Sequence, residues 1–155
     1  MLQGGRLWAG DLYTNIVGAT NLPVEAAWDA ARAAGLAEDI EAMPMGMYTM
    51  VSEGLSTLSG GQRQRVLIAR ALVGAPSIVL LDEATSALDN VSQAVVLDAL
   101  SGLKATRLLI AHRLSTVRGA DRIVVLDNGR ILQEGTYPQL ARKPGPFAEL
   151  LARQT

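Results

Sequence analysis

The 155-residue chain contains no cysteine. That excludes a disulfide scaffold, a thiolate metal site and a cysteine nucleophile, and it is compatible with a reducing compartment. Charge of neither sign dominates: 14 basic against 15 acidic side chains leave a formal charge of −1. The chain is therefore neither a polycation made for nucleic acid nor an acidic tail. Hydrophobic residues make up 49 % and the mean hydropathy is +0.21. Yet no apolar run approaches the roughly 20 residues of a spanning helix, which predicts a core-rich domain rather than a membrane span. Met1 to Trp8 lack the basic start and apolar core of a signal peptide. There is no internal repeat and no low-complexity segment, although Ala26 to Ala34 is alanine-rich.

What is present reads first as helices. Asn21 to Gly35 predicts a helix with Asn21 as its cap, Pro23 in the first turn and Gly35 as the stop. A shorter helical piece follows from Leu36 to Ala42. Met43 to Gly54 has a proline, scattered glycines and no clean period, which marks a loop. Ser59-Gly60-Gly61 opens the next helix, Gln62 to Val73, and Gly74-Ala75-Pro76 ends it. The pattern then changes to strands. Ser77 to Leu81 and Leu108 to Ala111 are short unbroken apolar runs with a helical stretch between them, from Asn90 to Leu103. This is the signature of a βαβ unit in a sheet covered on both faces. Ile123 to Leu126 is a third strand, and Asp127-Asn128-Gly129-Arg130 predicts a type I′ hairpin turn into Ile131-Leu132-Gln133. Phe147 to Arg153 reads as a terminal helix.

In open α/β sheets the working residues lie at the carboxyl edge of the strands, and Asp82, Glu83 and His112 fall there. An acid after a strand is also an ordinary solvated turn. Leu58-Ser59-Gly60-Gly61-Gln62 places a hydroxyl and two amides free of side chains at a helix start, where an anion such as phosphate is favoured. An ordinary N-cap with flexible glycines fits those residues equally well. Arg63 and Arg65 oppose the helix dipole in the first turns, a conflict that a nearby anion would relieve.

Leu58-Ser59-Gly60-Gly61-Gln62-Arg63-Gln64-Arg65, then Ile78-Val79-Leu80-Leu81-Asp82-Glu83, then Ser86-Ala87-Leu88-Asp89 and Ala111-His112-Arg113, resembles the signature, Walker B, D-loop and H-loop series of the ATP-binding cassette ATPases. Gln3 followed by Leu7-Trp8-Ala9-Gly10 and Asn15-Ile16 is similar to the Q-loop region of exporter-type cassettes, and Pro44 to Gly54 to the stretch before their signature. The resemblance covers essentially the whole chain. It implies an α/β fold, a partial P-loop NTPase with the remnant of a RecA-like parallel sheet and an inserted α-helical subdomain. Residues 1–155 would form one partial nucleotide-binding domain: 1–20 the Q-loop region, 21–73 the helical subdomain with the signature, 74–155 the C-terminal part of the RecA-like subdomain.

The resemblance also implies roles. Asp82 would hold Mg²⁺ through water, and Glu83 would accept a proton from, or orient, the water that attacks the γ-phosphate. His112 would contact that phosphate, and Gln3 would sense Mg²⁺ and the attacking water. Ser59, Gly60, Gly61 and Gln62 would meet ATP bound to the opposite subunit of a head-to-tail dimer of nucleotide-binding domains. Asp89 would link the two sites, or equally cap the helix beginning at Asn90. Transmembrane domains are the implied partners, with the chain on the cytoplasmic face of the plasma or inner membrane and no nucleic acid bound. Leu7, Trp8, Leu12 and Tyr13 would seat a coupling helix of those domains or pack in the core.

One departure stands out. A complete cassette begins with an aromatic residue that stacks on adenine and a G-x-x-x-x-G-K-S/T loop that wraps the phosphates. Here the only lysines are Lys104 and Lys143, and no Gly-Lys pair occurs. The expectation is a C-terminal fragment lacking roughly the first third of the domain, inactive alone, with apolar sheet faces left uncovered. A truncated cassette that docks on a full-length partner is the alternative. A DNA-repair cassette is disfavoured, because residues 21–53 leave no room for a coiled coil and the near-neutral charge gives no footprint for duplex binding.

Overall fold

The computed structural model describes residues 5–52, 58–82, 88–111 and 114–154. Contacts divide the chain into two compact units, Met1–Leu109 and Ile110–Thr155. The helices before position 73 and the strand-helix-strand segment after it share one hydrophobic cluster.

In the first unit, strand β1 (Gly10–Asp11) runs directly into helix α1 (Leu12–Val17), which the sequence reading did not anticipate. Asp11 caps it, its carboxylate accepting the Thr14 amide at 2.7 Å. Strand β2 (Met50–Val51) pairs antiparallel with β1, Gly10 opposite Val51 and Asp11 opposite Met50. Helix α2 (Val24–Ala33) buries Ala27, Ala30 and Ala31, side chains small enough for close helix packing. Its cap position is Pro23 and not Asn21, and no side-chain cap bond forms. Proline fixes the backbone just outside the helix, with φ −69° and ψ 164°, and leaves Asn21 two residues too far out to reach the first turn.

Gly35 ends α2 as expected, with φ +63°. The Leu36 amide reaches back to the Ala31 carbonyl at 2.8 Å, closing a Schellman turn. A side chain at this glycine would also collide with Val95 at 2.9 Å. Helix α3 (Ala37–Glu41) and a 3₁₀ turn at Gly46–Tyr48 lead to β2. Helix α4 (Gly60–Leu72) then packs with α1 and α2, burying Val66, Ile68, Ala69 and Leu72. Strand β3 (Ile78–Asp82), helix α5 (Asn90–Gly102) and strand β4 (Thr106–Ile110) form the expected βαβ unit. The two strands pair in a small parallel sheet, with the Thr106 amide on the Ser77 carbonyl at 2.9 Å.

In the second unit, helix α6 (Leu114–Val117) precedes strands β5 (Ile123–Asp127) and β6 (Arg130–Gly135), an antiparallel hairpin. Asn128 and Gly129 both have positive φ, +47° and +74°, which is the type I′ requirement read from the sequence. Helix α7 (Tyr137–Arg142), unforeseen in the sequence, begins where Gln139 accepts the Thr136 amide at 2.9 Å. Helix α8 (Pro146–Gln154) closes a small core of Ile123, Leu140 and Phe147, and the Tyr137 ring meets the Phe147 ring edge-on at 5.5 Å.

Candidate functional site

The start of α4 carries the signature-like residues. Ser59 is the N-cap, its hydroxyl accepting the Gln62 amide at 3.1 Å while Gln62 Oε1 accepts the Ser59 amide at 2.9 Å. This reciprocal capping box secures two amides that the helix cannot satisfy internally. Ser59 and Gly60 are exposed, and a Cβ at Gly60 would meet nothing. The amides of Gly60 and Gly61 precede the first helical bond, Arg63 amide to Ser59 carbonyl. This end of the helix can therefore accept an anion up to the backbone.

Behind the cap, Gln62 turns inward. Its Nε2 donates to Asp39 Oδ1 of α3 at 2.8 Å. Asp39 Oδ2 in turn pairs with Arg65 Nη2 at 2.6 Å. The anion that relieves Arg65 is thus a carboxylate of the same chain, 26 residues away. Arg65 Nη1 donates to Ser92 Oγ of α5 at 2.7 Å. Ser92 Oγ in turn donates to Asp89 Oδ2 at 2.8 Å. Asp89 is the N-cap of α5, its Oδ1 accepting the amides of Val91 at 3.0 Å and Ser92 at 2.9 Å. The Ser92 amide foremost, and then the Ser92 hydroxyl, hold the Asp89 carboxyl below the usual range, because they bond its charged form.

The far end of α4 grips the segment after position 5. Arg70 donates from Nε to the Asn15 carbonyl at 2.5 Å, from Nη2 to Asn15 Oδ1 at 2.8 Å and from Nη1 to the Arg6 carbonyl at 3.2 Å. Its guanidinium lies 4.0 Å over the Trp8 ring. Partial burial lowers the Arg70 pKa from the usual guanidinium value. Asn15, fully buried, also bonds both the amide and the carbonyl of Trp8. Sequence reasoning passed over this pair; the available signal was an asparagine amid the apolar residues of Leu12–Val17. The apolar quartet near the start divides: Leu12 is core, Leu7 and Tyr13 pack against it, and Trp8 is exposed. Tyr48 lies beside Tyr13, ring centroids 6.3 Å apart, and is exposed together with Met45 and Met50.

Asp82 ends β3, half-buried. Gln3, Glu83 and His112 lie outside the described residues, as do Ser86 and Ala87. Among the described residues no three carboxylates or imidazoles gather to cage a metal. One strand-end carboxylate suits Mg²⁺, which keeps several waters and takes further oxygens from phosphate. Among the described residues no helix is long and apolar enough to cross a membrane.

Residues 11–86 match the ABC transporter family. The chain is 53% identical over 132 residues to the mitochondrial potassium channel ATP-binding subunit of Pongo abelii, covering 84% of this chain and 18% of that protein. It is 50% identical over 128 residues to the ATP-dependent lipid A-core flippase of Bordetella avium, covering 81% of this chain and 22% of that one. Among solved structures, a bacterial Atm1-family ABC exporter with ATP bound superposes with a TM-score of 0.94 at 39% identity, over 99% of this chain and 28% of the exporter. The chain spans about a fifth of the length of the curated relatives it matches.

Proposed function

Since the chain belongs to the ABC transporter family, as part of its ATP-binding domain, we propose that it supplies the signature and Walker B half of an ATPase that drives an exporter. The observation that carries this reading is the start of α4, where Ser59 and Gly60 stand exposed on a helix end capped from its own side. A phosphate there meets backbone amides and the positive end of the helix dipole.

Ser59, Gly60 and Gly61 are assigned to ATP held by the opposite domain of a head-to-tail dimer. Gln62 keeps that turn in shape through its bonds to Ser59 and Asp39. Asp89, at the cap of α5, is assigned to the seam between the two domains. Mg²⁺, when bound, neutralises phosphate charge, and Asp82 is the residue to hold it through water. Glu83 accepts a proton from, or orients, the attacking water. His112 hydrogen-bonds the γ-phosphate, and Gln3 senses Mg²⁺ and the water. Exposed Trp8, backed by Arg70, is assigned to a helix of the transmembrane domains. On this reading the chain lies on the cytoplasmic face of the plasma or inner membrane.

The 155 residues contain no Gly-Lys pair with which to wrap the phosphates. They are therefore expected to show no turnover alone. The test is an assay with Mg·ATP of these residues alone and within the full-length protein, each beside a Glu83→Gln variant. The expected result is hydrolysis in the full-length protein alone, lost on substitution. Turnover that is insensitive to Glu83 would sink the assignment.

A further inference from the structure

Arg65 is buried within α4, a position where leucine would pack without an electrostatic demand. Its guanidinium is divided between two other elements, Asp39 of α3 on one side and Ser92 of α5 on the other. Among the described residues its Nε has no hydrogen-bond partner. A buried unsatisfied donor is destabilising, so packing alone gives no reason for arginine at this position. The planar fork does, because its donors can hold two acceptors lying in different directions. Each of those acceptors supports a helix cap. Asp39 holds Gln62, which holds the Ser59 amide, and Ser92 holds Asp89, which caps α5.

We infer that Arg65 is a positioning residue that couples the cap of α4 to the cap of α5 through the relay Ser59, Gln62, Asp39, Arg65, Ser92 and Asp89. The two caps then hold or shift as one body. That this sets the nucleotide contact at Ser59 and the subunit contact at Asp89 together rests on the ATPase reading above; the relay itself does not. Lysine cannot take the place of Arg65, since one compact ammonium does not present the fork.

Hydrogen exchange of the full-length protein without nucleotide tests the relay, followed in peptides spanning 58–66 and 88–96, with the 123–135 hairpin as reference. Ser92→Ala removes the shared hydroxyl and leaves the Arg65–Asp39 pair in place. Exchange is expected to rise roughly fivefold in both peptides, what one net hydrogen bond is worth, and to stay unchanged in the hairpin. Arg65→Lys is expected to reproduce that two-site pattern, and Ser92→Thr, which keeps the hydroxyl, to restore protection at both. Acceleration confined to 88–96 would show two independent caps and overturn the inference. So would acceleration that includes the hairpin, which would mark general loosening. Because no nucleotide is present, failure of the ATPase reading leaves this outcome intact.

Discussion

Helix α4 and strand β3 are neighbours in the chain and each carries a row of apolar side chains, yet those rows end in opposite conditions. The helix buries Val66, Ile68, Ala69 and Leu72 against α1 and α2. The strand hides Val79 and Leu81 but leaves Ile78 62% and Leu80 54% exposed, and its partner β4 leaves Leu108 61% and Ile110 56% exposed. A helix satisfies its own backbone and needs cover along one stripe only. A parallel strand needs cover on both faces, and the described residues supply one. Among the described residues the sheet, expected from the sequence to be covered on both faces, leaves one face exposed.

The sharpest way to break this contrast is to truncate both sides of it. Leu12→Ala, at a fully buried site beside α4, is expected to destabilise the chain by about 2–5 kcal/mol in urea denaturation, through lost transfer energy and a residual cavity. Leu80→Ala on the bare face is expected to change stability by less than about 1 kcal/mol. Equal losses would mean that the bare face is packed after all.

A smaller effect is expected at Gly35, where the helical region meets α5. Gly35→Ala forces a side chain into positive φ and against Val95, and is expected to lower stability by about 1–3 kcal/mol. A neutral result in thermal unfolding would show that the α2 end and α5 can separate freely.

The smallest effect concerns Asp89, which is fully exposed. Bonds from Ser92 lower its folded pKa, so its cap stabilises the start of α5 above the unfolded carboxylate pKa, about 4, and that support is lost as pH falls through the lower folded value. An NMR titration of the Ser92 amide is expected to show a midpoint below that of a free aspartate. A midpoint above that of a free aspartate would reverse the sign and remove Asp89 as the cap.

Much of the fold was legible because its rules are local. Asn128-Gly129 needs only its own two φ angles, Gly35 only the end of its own helix, and Ser59 and Asp89 only the first turn they cap. The features that escaped sequence reasoning are those whose partners lie far along the chain. Helix α1 has six residues and no periodic stretch to announce it; burial of Leu12 and Ile16 in the shared core accompanies it. Asn15 enters the sequence reading only within the Q-loop-like stretch, and nothing local announces Arg70, 55 positions later, at its side chain. The bond from Gln62 to Asp39, 23 residues away, likewise has no local signal.

The sequence by itself determined the family, the order of the motifs, the hairpin turn, the start of α4 at Ser59 and the stop at Gly35, since each rests on residues within a turn or two of one another. Only the tertiary structure decided that the counter-charge of Arg65 is Asp39, that the caps of α4 and α5 share one network, and which strand faces stay bare. The physical reason is the range of the interactions. Backbone preference and capping act over three or four residues, whereas ion pairing and burial depend on which distant segments the folded chain brings together.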